Sequence, residues 1–316
     1  MRPLWKDVLA AVWLGLILPG ILLNAFACKA RQQQFVTVQT DQPEQIRKEN
    51  RLIPVRDRDG TCTGMDLDTY LTGVLLAEMP AEFQEEALKA QSVAARTYTW
   101  KAYTTGGKHG DASVCKDPAC CQAYISEADY LSGGGTRENL EKVSHAVQTT
   151  SGMVLIYGGE LIEATYFSSA GGSTEAAVAV WGADFPYLQA VSSPEEVLPE
   201  TVVYSAAEFQ NLLGRHLPGD PAEWIGGISH TEGGGVAELE ICGECYSGVQ
   251  LRTLLGLRST AFQISGEERR ITITTRGYGH RVGMSQYGAN AMAEAGSSYQ
   301  KILQHYYPGT NLVPIP

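Results

Sequence analysis

The sequence has no clusters of lysine and arginine. Lys and Arg number 24 against 35 Asp and Glu, and the formal net charge is −11. Because proteins that bind nucleic acid neutralise phosphates with grouped cations, this composition argues against nucleic acid as a main partner. With 316 residues, 44% of them hydrophobic, the chain is long enough to form one large domain or two modest ones.

The sequence also lacks internal repeats and a regular alternation of strand and helix patterns. Short β-prone runs are separated by glycine-rich turns, and fewer segments have helical periodicity. This mixture predicts an α+β fold of mixed helices and short strands rather than a doubly wound sheet. The main predicted strands are 153–157, 161–167, 236–241 and 270–275, and the main predicted helices are 67–79, 81–103, 140–149 and 206–213.

Long hydrophobic runs are absent except for one at the N-terminus. Residues 8–28 are almost uninterrupted apolar residues with Arg and Lys on both sides, and about 21 residues suffice to cross the hydrocarbon core of a bilayer. We interpret this run as a single N-terminal transmembrane helix. Residues 25–27 resemble a signal-peptide cleavage site, and Cys28 leaves a lipoprotein open. The predicted organisation is a membrane anchor or signal segment (1–29), a linker (30–51) and an extracytoplasmic domain (52–316).

Seven cysteines, an odd number, are spread unevenly along the chain. Their tight central group indicates a metal site rather than a disulfide framework. His109, Cys115 and Cys121 have five residues between neighbours, and one imidazole with two thiolates suits zinc. Cys120 can replace Cys121, serve as a fourth ligand or pair oxidatively. The cysteine pair within 242–245 has the spacing of a metal half-site or redox pair, but a local disulfide or two buried thiols is the simpler interpretation.

A glutamate lies on the apolar face of the predicted helix 67–79. Apolar residues recur there at i, i+3, i+4, i+7 and i+8, and Glu78 falls on the same face. Pro80 ends the helix, so the carboxyl lies near the negative end of the helix dipole. Apolar surroundings and that dipole both raise a carboxyl pKa, as a general acid working near neutral pH requires. The alternative is a helix-end glutamate that turns to solvent.

The next predicted helix, 81–103, carries two cations on one side. Lys89 and Arg96 are seven residues apart and lie opposite the expected buried face. They suit an anionic sugar substituent or an orienting carboxylate. The alternative is an ordinary solvated helix face. The expected buried face comprises Phe83, Ala87, Ala90, Ala94 and Tyr98.

Three stretches of the chain resemble the stage II sporulation protein D family, the cell-wall lytic transglycosylases of spore-forming bacteria. They are LLAEMPAEFQEEALKAQSVAARTY (75–98), YFSSAGGSTEAAVAVWGADFPYLQAV (166–191) and GYGHRVGMSQYGANAM (277–292). The resemblance runs from about residue 52 to the C-terminus. It implies cleavage of the β-1,4 bond between N-acetylmuramic acid and N-acetylglucosamine in peptide-stripped glycan strands of peptidoglycan, during engulfment of the forespore.

The resemblance also implies roles for single residues. The glutamate of the family's EMP motif is catalytic and corresponds to Glu78, and downstream family cations important for activity correspond to Lys89 and Arg96. Some members bind zinc through a His and two Cys at the spacing found here, which implies a structural zinc site. Arg281 stands where many relatives carry a small residue, which leaves the shape and charge of the groove open there.

A lytic transglycosylase needs only one carboxyl group. The substrate's own C6 hydroxyl attacks the anomeric carbon, so Glu78 can act first as acid and then as base. A hydrolase would need a second carboxylate, and Glu82, Glu163 and Glu175 have no distinguishing context. A glycan groove favours aromatic faces and short polar side chains. The candidate glycan contacts are Ser169, Thr174, Trp181, His280, Ser285, Gln286 and Tyr287.

The resemblance implies partners and a location. The partners are the sporulation amidase, stage II sporulation protein P, and the membrane protein, stage II sporulation protein M. The location is the mother-cell membrane at the sporulation septum, with the catalytic domain on the extracytoplasmic side. The main alternative is a non-catalytic wall-binding module that stimulates an amidase, since related domains are amidase enhancers. A third hypothesis is a transporter-associated binding protein, which the export segment alone supports.

Overall fold

The structure is a computed structural model, and it describes residues 52–196 and 198–315. Helices and short strands are mixed along the chain. The helices are α1 (Leu67–Glu78), α2 (Glu85–Thr105), α3 (Glu127–Ser132), α4 (Arg137–Thr149), α5 (Ala177–Trp181), α6 (Ala206–Leu213), α7 (Gly248–Leu254), α8 (Gln286–Glu294) and α9 (Tyr299–Tyr306), with a 3-10 turn at Pro221–Glu223. The strands are β1 (Leu52–Arg56), β2 (Cys62–Asp66), β3 (Val114–Cys115), β4 (Met153–Tyr157), β5 (Glu160–Leu161), β6 (Tyr166–Phe167), β7 (Glu200–Ser205), β8 (Ile225–His230), β9 (Val236–Ile241), β10 (Glu244–Ser247), β11 (Phe262–Glu267), β12 (Arg270–Thr275), β13 (Met284–Ser285) and β14 (Asn311–Pro314).

Two hydrophobic cores divide the described residues into two lobes. The larger lobe, residues 52–196 and 277–315, packs its helices with three small sheets of strand orders β2-β1-β3, β14-β4-β5 and β13-β6. The inserted lobe, residues 200–275, contains two antiparallel three-stranded sheets, β10-β9-β8 and β11-β12-β7, around a core of its own. The inserted lobe begins and ends on neighbouring strands, because Glu200 of β7 pairs with Thr275 of β12.

The larger lobe is organised by helix α2. This helix packs against α1, α4, α8, α9 and β4. Ala87, Ala90, Ala94 and Ala95 are fully buried, and their small side chains allow neighbouring elements to approach closely. The helix ends at Gly106, whose φ of 93° lies in the left-handed region that glycine adopts without strain. It begins four residues later than the sequence pattern predicts.

Helix α1 has a side-chain cap at its start and a proline beyond its end. The Asp66 carboxylate accepts a hydrogen bond from the Thr69 backbone N–H, which satisfies a donor left free at the helix start. At the other end Met79 is extended, as the residue before Pro80 is expected to be. The helix therefore ends with Glu78 as its last residue, one residue before the predicted bound at 79.

The inserted lobe is built from hairpins. Strand β9 alternates exposed and buried residues over its last four positions, and a two-residue turn at Cys242 and Gly243 joins it to β10. Both turn residues have positive φ, 47° and 78°, which matches the turn favoured by strand twist. Cys242 and Cys245 are free thiols. Of the four predicted strands, three have the predicted bounds, and 161–167 is instead two short strands, β5 and β6.

The mixed architecture is consistent with an α+β fold, but the fold prediction needs one correction. Across residues 52–196 and 198–315, every helix is too short or too polar to cross a bilayer. The predicted transmembrane helix therefore has no counterpart in that part of the chain. The predicted anchor at 1–29 and the predicted linker at 30–51 lie outside the described residues.

Candidate active site

A cavity of about 560 Å³ contains Glu78 and receives residues from both lobes. Most of its wall comes from the larger lobe, including the segment 164–168 and the end of α1. The inserted lobe contributes Arg252 of α7. The aromatic side chains that line the cavity are Tyr98, Tyr166, Phe167, Tyr278, His280 and Tyr287. The side-chain amides that line it are Gln122 and Gln286.

Glu78 is half-buried at the end of α1. Its Oε1 accepts a hydrogen bond from the Ala123 backbone N–H at 2.6 Å. Burial raises the pKa of the Glu78 carboxyl above its usual range, and the hydrogen bond from Ala123 opposes this effect. The structure describes no hydrogen bond to Oε2. The carboxyl is therefore anchored through one oxygen, and its protonated form is favoured by burial.

The segment that supplies the Ala123 donor is fixed by Gln122, which sequence reasoning missed. The buried Gln122 side chain donates to the Tyr166 hydroxyl at 2.8 Å and accepts from the Thr99 hydroxyl at 2.9 Å and the Tyr70 hydroxyl at 3.3 Å. These bonds tie it to α1, α2 and β6. Since glutamine is common in loops, no sequence signal marks this residue.

Directly before Gln122 lies the predicted metal group. The ligand atoms of His109, Cys115, Cys120 and Cys121 all lie within 4.8 Å of one another. The His109 Nε2 is 3.7 Å from the Cys120 Sγ and 3.5 Å from the Cys121 Sγ, and the two sulfurs are 4.0 Å apart. A zinc tetrahedron with Zn–S bonds of about 2.3 Å has sulfur–sulfur edges of about 3.8 Å. Number, chemistry and spacing therefore fit zinc, with Cys120 as the fourth donor.

His280 is a wall residue whose imidazole is held neutral. The centroid of its ring lies 5.5 Å from that of the Phe167 ring and 5.3 Å from that of the Trp181 ring. The Nδ1 atom accepts from the Val282 N–H at 3.1 Å. Burial, with a contribution from the nearby Arg252 charge, lowers the pKa of His280 to about 4.

Lys89 and Arg96 lie away from the cavity. Lys89 pairs with Glu85 and Glu86 on its own helix, at 2.7 and 2.9 Å. Arg96 is fully buried and does not face solvent, so the substrate contact predicted for it is corrected to a structural one. Its guanidinium donates to the carbonyl oxygens of Thr150 and Val147 and to Asp68. Because these partners belong to α1 and to the C-terminal end of α4, Arg96 joins three helices.

Three of the seven predicted glycan contacts line the cavity, namely His280, Gln286 and Tyr287. Thr174 is fully buried, and its hydroxyl accepts from the Val191 N–H. The Ser285 hydroxyl donates to the buried carboxylate of Glu195 and caps α8. These two residues stabilise loops behind the wall. Ser169 is buried and its backbone pairs with that of Tyr278, while Trp181 is exposed and its ring contacts the His280 ring.

A buried ion pair joins the lobes beside the cavity. Arg281 and Glu175 are each 1% exposed, and the Arg281 Nη1 lies 2.9 Å from the Glu175 Oε1. The guanidinium also donates to the Gly233 carbonyl, while the carboxylate accepts from the Gly235 N–H of the inserted lobe. A Cβ atom at Gly233 would lie 2.2 Å from the Thr174 carbonyl oxygen, so the loop approaches closely because it has glycine there. Arg281 is therefore part of the contact between the two lobes, and it does not line the cavity.

The other candidate carboxylates have partners elsewhere. Glu175 is held by Arg281, Glu163 pairs with Lys101 at 2.6 Å, and Glu82 accepts from the Asn139 amide. Among the described residues that line the cavity, Glu78 is the one carboxylic acid. The arrangement therefore supports chemistry that uses a single carboxyl group.

Comparison with known proteins identifies the family of the chain. A family model described as Stage II sporulation protein matches residues 57–157. The chain is 40% identical over 270 residues to Stage II sporulation protein D of Bacillus subtilis (strain 168) and to that of Bacillus amyloliquefaciens, covering 82% of this chain and 78% of each relative. It is 32% identical over 301 residues to the Amidase enhancer of Bacillus subtilis (strain 168), covering 77% of this chain and 40% of that protein. The chain therefore belongs to the stage II sporulation protein D family.

Proposed function

We propose that this protein is a peptidoglycan lytic transglycosylase in which Glu78 acts as both acid and base. The observation that carries the proposal is that, among the described residues lining a cavity with aromatic walls, Glu78 is the one carboxylic acid. The bond cleaved is the β-1,4 bond between N-acetylmuramic acid and N-acetylglucosamine in peptide-stripped strands. Membership of a sporulation family supports a role during spore engulfment.

In the proposed reaction one proton moves out of Glu78 and another moves in. The protonated carboxyl, favoured by burial, donates to the leaving O4 as the C1–O4 bond breaks. The C6 hydroxyl of the same muramic residue then attacks C1, and its proton passes to the Glu78 carboxylate. The products are a free 4-hydroxyl and a 1,6-anhydro end, and no water is consumed. The Ala123 N–H stabilises the carboxylate between the two transfers.

Aromatic side chains suit the sugar rings. Tyr278 and Tyr287 are 55% and 44% exposed, so their faces are open to a glycan strand. Tyr287 is held by an edge contact with Phe83, at 5.0 Å between ring centroids. A positioned ring keeps the bound sugar oriented relative to Glu78, and orientation supplies a large part of the rate in such reactions.

We also propose that His109, Cys115, Cys120 and Cys121 bind zinc in a structural role. Zinc bound there would cross-link the loop after α2 to the segment that begins at Cys121. That segment continues into Gln122 and Ala123, so the metal would hold the donor that contacts Glu78.

The test uses the full chain with peptide-free glycan strands and mass spectrometry of the products. The chain with Glu78 should produce 1,6-anhydro-muramyl ends, and Glu78→Gln should produce none. Reducing muramic ends from the unaltered chain would instead mean hydrolysis and refute the single-carboxyl mechanism. Intact strands would refute the enzymatic proposal altogether.

A second function, stimulation of a cell-wall amidase, is favoured by the relative named Amidase enhancer. Its test is the release of peptides from intact wall by a sporulation amidase with and without this protein. A stimulated release that survives Glu78→Gln would mean a binding role independent of bond cleavage. A release that falls with Glu78→Gln would mean that cleavage itself drives any cooperation.

The partners and the location remain proposals as well. Peptide-stripped strands require an amidase upstream, which fits stage II sporulation protein P, and stage II sporulation protein M is the proposed membrane partner. The domain would then act on the extracytoplasmic side at the sporulation septum. Co-purification of this protein with each partner from sporulating cells tests the assembly.

A further inference from the structure

Arg252 is the one guanidinium among the described residues that line the cavity with Glu78. It lies in the last turn of α7, in the inserted lobe, and is partly buried. Within residues 52–196 and 198–315 its side chain makes no hydrogen bond and no ion pair. Burial lowers the pKa of its guanidinium, but an arginine remains charged at neutral pH. The cavity therefore contains a positive charge that forms no ion pair with any described residue.

Three other arginines of the inserted lobe have acidic partners. Arg215 pairs with Glu244, Arg258 with Glu200, and Arg270 with Glu267 at 2.6 Å. These three side chains are bound at the surface of their lobe, whereas Arg252 faces the shared cavity. Partial burial of a charge without a partner opposes folding, and a bound anion would remove that penalty.

An unmodified glycan strand contains two kinds of sugar, and only one of them carries an acidic group. N-acetylglucosamine is neutral, while N-acetylmuramic acid carries a lactyl group at C3. In a strand with stem peptides this group is an amide, and after the peptide is removed it is a free carboxylate. A guanidinium binds a carboxylate through two parallel charged hydrogen bonds, and an amide cannot form that pair.

We propose that Arg252 binds the free lactyl carboxylate of N-acetylmuramic acid and thereby selects strands from which the peptide has been removed. This inference rests on the proposed function, because it assumes that a glycan strand occupies the cavity. The cleavage site would then be built from both lobes. The larger lobe supplies the acid, and the inserted lobe supplies the residue that recognises the substrate.

A simpler role for Arg252 is in folding. A cation in the last turn of a helix interacts favourably with the helix dipole, and this alone is a reason to find arginine there. The two roles differ in what they predict, because a folding role is indifferent to the chemical state of the lactyl group.

The experiment measures binding in the full chain carrying Glu78→Gln, which removes the acid and keeps the strands intact. The probes are peptide-free glycan strands and the same strands after conversion of the lactyl carboxylates to primary amides. Loss of a charged hydrogen-bonded pair is expected to weaken binding of the amidated strands by about 10- to 100-fold. Adding Arg252→Gln should abolish this preference, and adding Arg252→Lys should retain part of it.

The matched control is Arg270→Gln, which removes the same charge from a surface ion pair of the same lobe. It should keep the full preference for carboxylate strands. Equal binding of the two strands by the chain with Arg252, or no binding of either, overturns the inference, and neither result depends on the folding of a variant at position 252. An unchanged preference in a folded Arg252→Gln variant overturns it as well.

Failure of the inference and failure of the proposed function give different results. If anhydro ends form but carboxylate and amidated strands bind equally, the transglycosylase proposal stands and the role of Arg252 is wrong. If no ends form but the preference depends on Arg252, the protein recognises stripped glycan without cleaving it.

Discussion

Each lobe presents the C-terminal end of a helix to the cavity, and the side chains at these two ends carry opposite charges. Glu78 is the last residue of α1 in the larger lobe, and Arg252 lies in the last turn of α7 in the inserted lobe. Because the C-terminal end of a helix carries partial negative charge, it disfavours an ionised glutamate and favours a guanidinium. The helix end therefore disfavours the charged form of Glu78, the proposed acid. It favours the charge of Arg252, the proposed recognition residue.

The same division is visible in the sequence. The three stretches that resemble the family all lie in the larger lobe, while residues 200–275 contain none of them. The acid and its supporting segment thus come from the part of the chain with family motifs. The cation comes from a lobe whose sequence carries no motif. Four changes test this comparison, and the expected effects run from large to small.

Glu78→Gln should have the largest effect on function. The loss of an acid and base should reduce the formation of anhydro ends by about 1,000-fold or more. The amide oxygen can still accept from the Ala123 N–H, so the thermal unfolding temperature should be equal or higher. Product analysis and a thermal melt check both points. A variant that unfolds at a much lower temperature would mean that Glu78 is structural.

Arg281→Met should weaken the contact between the two lobes. It leaves Glu175 buried without its cation, which should reduce the free energy of unfolding by about 3–5 kcal/mol. The positive φ of Arg281, 65°, is equally strained in both side chains, so it does not affect the comparison. The control is Arg258→Met, which breaks an exposed ion pair and should change stability by at most about 1 kcal/mol. Similar losses in chemical denaturation of the two variants would contradict the junction described here.

Metal removal should affect the larger lobe alone. Chelation, or Cys121→Ser, should lower the unfolding temperature by about 5 °C or more and reduce cleavage, because the segment that carries Ala123 is loosened. Cys245→Ser in the inserted lobe is the control and should change neither property, since this cysteine is exposed. Elemental analysis of the purified chain tests zinc directly. Full activity in a metal-free protein would contradict the structural role.

The smallest expected effect is on the pH dependence of stability. The Glu78 carboxyl has a folded-state pKa above its ordinary value of 4.5, so between these two values the folded chain binds more protons than the unfolded chain. Stability from this group is therefore present below pH 4.5 and falls as pH rises through the raised pKa. Glu78→Gln should remove this slope, and thermal melts of both chains from acidic to neutral pH measure it. Parallel curves would mean that the carboxyl titrates normally.

Local patterns predicted part of this site. Periodicity and Pro80 placed Glu78 at the end of an apolar helix face, and the spacing of His109, Cys115 and Cys121 placed three donors that the fold brings together. Each of these signals lies within a short stretch of chain, where geometry depends on few neighbours. The role of Cys120 stayed open among three alternatives, because adjacent cysteines cannot be distinguished by spacing.

Long-range packing explains what was missed. Arg96 was assigned to an open helix face, but α2 is surrounded by other elements, and a single-helix pattern does not show a second buried side. Gln122 and Arg252 lie at the cavity because segments far apart in the sequence pack together. The TEGGG loop that ends at Gly235 shows its purpose only when the Arg281 and Glu175 pair beneath it is known.

The paired ends of the inserted lobe make it separable from the rest of the chain. Because Glu200 and Thr275 are partners on neighbouring strands, the chain leaves the larger lobe and returns to it at almost the same place. Such a segment can be exchanged between homologues as a cassette, with two closely spaced splice points and one glycine-lined docking loop. Exchange of this lobe can therefore alter the proposed substrate recognition while the proposed acid and the larger lobe stay the same.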